Sequence, residues 1–250
     1  LDNLIQKHLS ALIKLNTDEK NNSSRGIIYQ IKEGFGSTKI KNIIRLHKEL
    51  PEDDKKNLNK LGLRFGVEYL YIPDLLKPGA VKLRALLWGI VNNTFYKDAL
   101  PEDGRVAYSP SEEAPKDWYN IIGYSKLGDR VMRVDMVERL LALIRIAARD
   151  GSFKITEEML SIAGASKEQM SKVLMDLDFE LLDQDKNQEI TFDTVFKKKK
   201  KFIYKNKTKT IKKIKKDKIL KKTKTSKNKT KNTKINPDSP FAVLSNLKLK

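Results

Sequence analysis

The chain lacks cysteine altogether and has only two histidines, His8 and His47, in 250 residues. The first absence excludes a disulfide scaffold, a cysteine nucleophile and thiolate zinc sites. The second leaves little for a histidine-based metal site or catalytic triad. No apolar run approaches the roughly 20 residues that a membrane-spanning helix needs. No GxSxG, HExxH or paired-carboxylate motif occurs, so the residues present point to no catalytic centre and no metal site. The sequence opens at Leu1 without a signal-peptide pattern. That reads as a cytoplasmic chain truncated at its start.

Acidic residues are also missing from one end. The formal net charge is +19, but it is confined to one region. Residues 197–250 hold 22 lysines, no arginine and only Asp217 and Asp238, a net of +20; residues 1–196 carry a net of −1. A near-neutral body therefore precedes a polylysine tail. Self-repulsion and sparse apolar groups predict disorder over 197–236. A stretch this basic suits sequence-blind attachment to RNA or DNA by phosphate neutralisation and counterion release. The candidate contacts are Lys197, Lys198, Lys199, Lys200, Lys201, Lys212, Lys213, Lys215, Lys216, Lys221 and Lys222. Lysine in place of arginine argues for point-charge contacts, not bidentate base reading. No amphipathic apolar face or lipidation motif directs the tail to a membrane. Beyond it, residues 237–250 hold a short apolar patch. Phe241, Leu244 and Leu247 share a three-residue spacing there, which reads either as a protein-docking motif over 237–247 or as a frayed terminus.

The body is patterned for helices, and the fold class expected is mainly α. A helical domain spans 1–96, with amphipathic helices near 1–16, 25–32, 40–46 and 52–61. Leu63–Ile72 (LRFGVEYLYI), rich in β-branched and aromatic residues, is a strand or hairpin candidate turning at Gly66. Ala80–Val91 is apolar on nearly every side and reads as a buried central helix. Residues 97–130, with three of the eight prolines within 97–117, read as a connecting segment. A strong helix is expected from Val131 to Arg149, then a short helix opened by Thr156. A third helix is capped by Ser166, and a hairpin made of Leu181-Leu182 and Ile190–Phe192 follows. That order, over 131–196, is the order of a winged helix-turn-helix.

Three local patterns were weighed for chemistry. The third helix carries Lys167, Glu168, Lys172, Asp176 and Asp178, a net of −1, which opposes a groove-reading role. Asp183–Thr191 begins like a calcium loop but has Gln188 where the turn glycine should stand and Thr194 where the bidentate glutamate should stand. Gly34-Phe35-Gly36-Ser37-Thr38-Lys39 is not GxxxxGK[ST] and follows a helix, so a glycine helix cap is the simpler reading.

Several stretches, taken in order, resemble one known family. They are Ser24–Gly36 (SRGIIYQIKEGFG), Leu61–Gly66 (LGLRFG), Tyr71–Pro73, Leu75–Pro78 (LLKP), Leu83–Trp88 (LRALLW), Tyr119–Tyr124, Arg133–Leu140 (RVDMVERL) and Asp238–Ala242. Together they look like the C-terminal region of bacterial, chiefly alphaproteobacterial, ATP-dependent helicases similar to the mitochondrial degradosome RNA helicase. The likeness covers about residues 20–182 and the last dozen. It implies a helical accessory region, with a small β part, packed on two motor domains and lining a nucleic-acid channel. ATP and magnesium would belong to those motor domains, whose motifs this chain does not contain. Arg25, Arg64, Lys77 and Arg84 are the candidate contacts among the basic residues inside the resembling motifs. They would either contact phosphate along the channel or pair with acids of the body. A stand-alone nucleic-acid-binding protein, or an adaptor acting through Phe241, Leu244 and Leu247, are the other readings of the same residues.

Overall fold

A computed structural model describes residues 2–15, 21–182 and 190–199. Residues 1–200 form one compact unit, built around three hydrophobic cores.

The first core gathers five helices and a small sheet. They are α1 (Asp2–Ile13), α2 (Asn22–Glu33), β1 (Ser37–Lys39), α3 (Ile40–Glu49), α4 (Glu52–Lys60), β2 (Arg64–Phe65), β3 (Tyr69–Tyr71) and α5 (Pro78–Asn92). The sheet is antiparallel with order β1-β3-β2, so the hairpin expected at 63–72 forms and gains β1 as a third strand. Asn21 caps α2 by accepting from the Ser23 amide at 2.8 Å. Glu52, Asp53 and Asp54 fill the first turn of α4, where they complement the helix dipole. Ile27, Ile28, Ile31, Leu63, Leu70 and Leu75 are completely buried. The helical spacing of Ile27, Ile28 and Ile31 is thus the core face of α2.

Gly34 is the C-cap residue of α2, as the glycine reading expects, but the turn's left-handed residue is not a glycine. The Gly36 amide donates to Ile31 O at 2.8 Å and the Phe35 amide to Lys32 O at 3.0 Å, the paired bonds of a Schellman turn. The left-handed residue of that turn is Phe35 (φ 51°), not Gly34 (φ −80°). A Cβ on Gly34 would collide with the Ser37 carbonyl, and one on Gly36 (φ 104°) with the Leu75 side chain. Gly34 is required for space. Gly36 is required for space and for its backbone angle.

Helix α5 also corrects an expectation. Its buried face is Ala80, Val81, Leu83, Arg84, Ala85 and Gly89. Leu86, Ile90 and Val91 are exposed, Val91 to 78%. The helix is therefore buried on one face only. The charged Arg84 is as enclosed as its apolar neighbour Ala85, because α5 lies where the first and central cores meet.

The central core is built from residues expected to be a connection. It contains β4 (Ala107–Tyr108), α6 (Lys116–Ile121), β5 (Tyr124–Leu127) and β6 (Arg130–Arg133), with sheet order β4-β6-β5. Trp118, Tyr119, Ile122 and Val131 are fully buried in it. The helix expected from Val131 starts only at Val134. The pairing of Lys126 with Val131 and Ser125 with Met132 draws 130–133 into a hairpin with β5 instead.

The third core is the winged unit: α7 (Val134–Ala147), β7 (Ser152–Lys154), α8 (Glu157–Ala163), α9 (Lys167–Asp176), β8 (Phe179–Leu181) and β9 (Val195–Lys198). Its antiparallel sheet runs β7-β9-β8. Helix, strand, two helices and a hairpin give the winged helix-turn-helix order. The second hairpin strand is β9, later than the Ile190–Phe192 expected. Phe196 is fully buried and pairs in register with Phe153, whereas Phe192 is exposed and lies under the Lys167 ammonium, 3.8 Å from the ring centroid. Aromatic burial at 196 therefore decides the strand. As a result the lysine run starts inside a strand: Lys197 and Lys198 belong to β9, a correction to the tail boundary at 197.

One side chain locks the first core to the winged unit. Glu138 on α7 accepts from the backbone amides of Val67, Glu68 and Tyr69 in the β2–β3 turn, the last two at 2.8 and 2.7 Å. A Cβ on Gly66 would strike the Glu138 carboxylate. The turn glycine thus makes room for a carboxylate from another layer. No helix among the described residues is long and apolar enough to cross a membrane.

Candidate nucleic-acid interface

The four candidate basic residues Arg25, Arg64, Lys77 and Arg84 do not form one cluster. Arg25 is exposed on α2 and donates to Asn22 Oδ1. Arg64 is exposed and donates to the carbonyls of Asn59 and Leu63 at 3.1 and 3.2 Å, closing the end of α4. Lys77 pairs with Asp74 at 2.7 Å, three residues away on the surface. Arg84 is the exception. It has no exposed surface, and its guanidinium donates to Phe35 O at 2.9 Å, Ile122 O at 2.7 Å and Leu75 O. The reading of Arg84 as a phosphate contact is corrected by that burial, and its pairing with acids by those acceptors: three backbone carbonyls take the place of carboxylates. Burial pushes the guanidinium down to about 9, which leaves it charged at neutral pH. Its role is to satisfy carbonyls of three segments that converge on α5.

At the other end, the Lys197 ammonium lies 3.7 Å from Glu180, and the Lys199 amide donates to Asp178 O at 2.9 Å. Lys198 and Lys199 are exposed. Lys200, Lys201, Lys212, Lys213, Lys215, Lys216, Lys221 and Lys222 lie outside the described residues, as do Phe241, Leu244, Leu247 and Asp183–Glu189 of the calcium-like loop. Among the described residues, no group of three His, Asp or Glu side chains converges on a common point.

Helix α9 stands where a groove-reading helix would stand in a winged helix. It is capped by a reciprocal Ser166–Gln169 box, with the Ser166 amide 3.1 Å from Gln169 Oε1 and the Gln169 amide 3.3 Å from Ser166 Oγ. Part of its polar edge is occupied by the β5–β6 turn. Lys172 pairs with Asp129, and Asp176 accepts from the Gly128 amide at 3.0 Å. A Cβ on Gly128 (φ 52°) would press on Lys172. The hairpin turn is thus seated against α9 and engages two of its charged residues.

The structure adds a site that sequence reasoning set aside. A cleft of about 490 Å³ opens between β1, the start of α3 and α6, lined among others by Ser37, Thr38, Lys39, Lys41, Asn42 and Lys116. Ser37 Oγ donates to Asn120 O at 3.1 Å, tying β1 to α6 across its floor. The Lys39 ammonium sits 5.6 Å from the Tyr69 ring centroid and 4.0 Å from Glu68. Lys116 is 3.8 Å from Asp176. Burial holds Lys39 below the ordinary lysine value, and Lys41 and Lys116 add to the depression against the pull of Glu68 and Asp176. Lys41 makes no ion pair among the described residues. Asn120 Oδ1 is buried without a hydrogen-bond partner. Lys39 was visible only at the end of a glycine-bearing helix stop, and Lys116 only inside an expected connection. They stand 77 positions apart in the chain, and no spacing rule joins them. Comparison with known proteins finds no family model, no curated protein and no solved structure that matches the chain.

Proposed function

We propose that the chain is an accessory, nucleic-acid-binding region of an ATP-dependent helicase, acting on RNA in the cytoplasm. ATP turnover and magnesium belong to motor domains outside this sequence. The observation that carries the reading is the partition of charge: a net of +20 over residues 197–250 beside a net of −1 over the body. A polycation of this density holds a nucleic-acid strand by counterion release, independently of sequence. The body supplies a winged unit whose last strand, β9, passes directly into that lysine run. The likeness of the LGLRFG, LLKP and LRALLW stretches supplies the helicase context. The seating of the β5–β6 turn on α9 favours a packing role for the winged unit over base reading.

The test compares affinity for single-stranded RNA against salt for residues 1–250 and 1–200. The cut falls after Lys200 because β9 runs to Lys198. Truncation is expected to remove most of the affinity and most of the salt slope, at about −0.7 per phosphate neutralised on a single strand. Undiminished binding by 1–200 would overturn the reading. Phosphate-loop and DExH-box motifs encoded upstream of Leu1 in the same gene would place the region in a helicase. Their absence there would favour the stand-alone protein.

A further inference from the structure

We infer that the cleft between β1, the start of α3 and α6 binds a phosphate group through Lys39, Lys41 and Lys116. Three observations support it independently of the tail. Three lysines from two distant segments line one concave surface of about 490 Å³, and Lys39 feels the charge of the other two; the size suits a nucleotide-sized ligand. The acids that face them are Glu68, Asp117 and Asp176. The two ion pairs these make with the cleft lysines are long, 4.0 Å for Lys39–Glu68 and 3.8 Å for Lys116–Asp176. Lys41 has none among the described residues. Lys39 meanwhile carries the cost of burial beside two like charges, an arrangement that an incoming anion would relieve.

The backbone agrees with an anion. Helix α3 has ten residues and no side-chain cap at its start. The Ile40 amide is taken by Glu68 O at 2.8 Å, which leaves the Lys41 and Asn42 amides at the positive end of the helix dipole. Lysine ammonium groups act on phosphate as point charges and need no planar fork. The Tyr69 ring is buried and its hydroxyl is engaged with Ser125 Oγ at 2.7 Å. It is therefore not free to stack a base, and the cleft recognises the phosphate and not the base.

On the function proposed above, the phosphate is a phosphodiester of an RNA strand; a free nucleoside monophosphate would supply the same chemistry. Both sources are tested on the full 250-residue chain, uniformly ¹⁵N-labelled, by following backbone amide shifts. A single-stranded RNA oligomer, adenosine monophosphate and inorganic phosphate are added in separate titrations. The RNA is expected to shift the amides of Thr38, Lys41 and Asn42. The double variant Lys41→Ala/Lys116→Ala is expected to raise the half-saturating RNA concentration for those shifts about tenfold, with the Trp118 indole signal unchanged as the folding control. Shifts at the same amides with adenosine monophosphate and not with RNA would keep the phosphate site and assign it to a small ligand. Shifts confined to residues beyond Lys197 with every additive would overturn the site while leaving the tail reading intact. Loss of RNA binding on tail truncation concerns only the tail.

Discussion

The central layer and the winged unit belong to one compact body but cohere by different means. The winged unit is almost wholly apolar inside. Leu140, Val173, Leu174 and Phe196 are completely buried, and among its described residues the only buried polar ones are Ser171 and Thr194. The central layer is polar inside. Arg84 binds three carbonyls there, Tyr108 donates to Ala99 O at 2.9 Å, Tyr124 donates to Arg105 O at 2.7 Å, and the Tyr119 hydroxyl accepts from the Ser111 amide at 2.9 Å. Among the described residues, the buried side-chain atoms without partners, Arg84 Nε, Trp118 Nε1 and Asn120 Oδ1, all lie in or against this layer. Apolar burial tolerates imprecise geometry, whereas a hydrogen-bonded interior fails steeply when one member is removed. The segment that sequence read as a connection therefore holds the most exacting interior of the molecule.

The largest effect that distinguishes the two layers is expected at Arg84. Arg84→Leu keeps an apolar side chain on α5 but strands the carbonyls of Phe35, Leu75 and Ile122. Each unpaired buried acceptor costs about 1–3 kcal/mol, so a loss of roughly 3 kcal/mol or more is expected in denaturant unfolding. Trp88 and Trp118 make tryptophan fluorescence a reporter of α5 and α6, since residues 134–199 contain neither Trp nor Tyr. An unchanged unfolding midpoint would show that the central layer does not depend on its buried charge. Next in size is the joint between layers. Glu138→Ala removes the acceptor of three turn amides and is expected to cost about 2 kcal/mol. Glu138→Gln retains one acceptor oxygen and should recover part of that loss. A loss equal to that of Glu138→Ala would mean that the charge, not the geometry, holds the turn.

How much of this was legible in sequence follows the same division. Helices α2, α4, α8 and α9 announce themselves because their signals are local: a cap residue, acids in the first turn, apolar spacing. Ser166 and Gln169 sit three residues apart and cap one another, so they are read directly. The winged order is read too, since its core positions Val137, Leu140, Leu141 and Ile144 repeat at helical spacing. What sequence misses is non-local. The residue that shapes the β2–β3 turn is Glu138, some seventy positions away. The burial of Arg84 depends on carbonyls contributed by residues 35, 75 and 122. The cleft depends on Lys39 and Lys116, which come together where β1 packs on α6 and Ser37 is bonded to Asn120. Strand β9 is hidden in the sequence because lysines at 197 and 198 read as tail, although Phe196 beside them is core.

The smallest effect, and the one that separates the layers without mutation, is the response to alkaline pH. Burial raises Tyr124 to about 12, and it raises Tyr108 and Tyr119 above the ordinary tyrosine value. A tyrosine whose folded value lies above its unfolded value of about 10 gives stability that is full below pH 10 and is lost as pH rises through the folded value. Arg84 acts in the opposite sense, because its folded value lies below its unfolded one and its burial penalty fades above about pH 9. One arginine set against three tyrosines leaves stability nearly level to pH 10 and falling beyond it. Near-ultraviolet circular dichroism should therefore lose its tryptophan and tyrosine signal above pH 10, while methyl resonances of Leu140, Val173 and Leu174 keep their dispersion longer. Tyr108→Phe should shift the onset to higher pH, since phenylalanine has no hydroxyl to ionise. Simultaneous loss of both sets of signals, with Tyr108→Phe unfolding at the same pH as the parent chain, would show that the tyrosine hydroxyls are not what distinguishes the central layer.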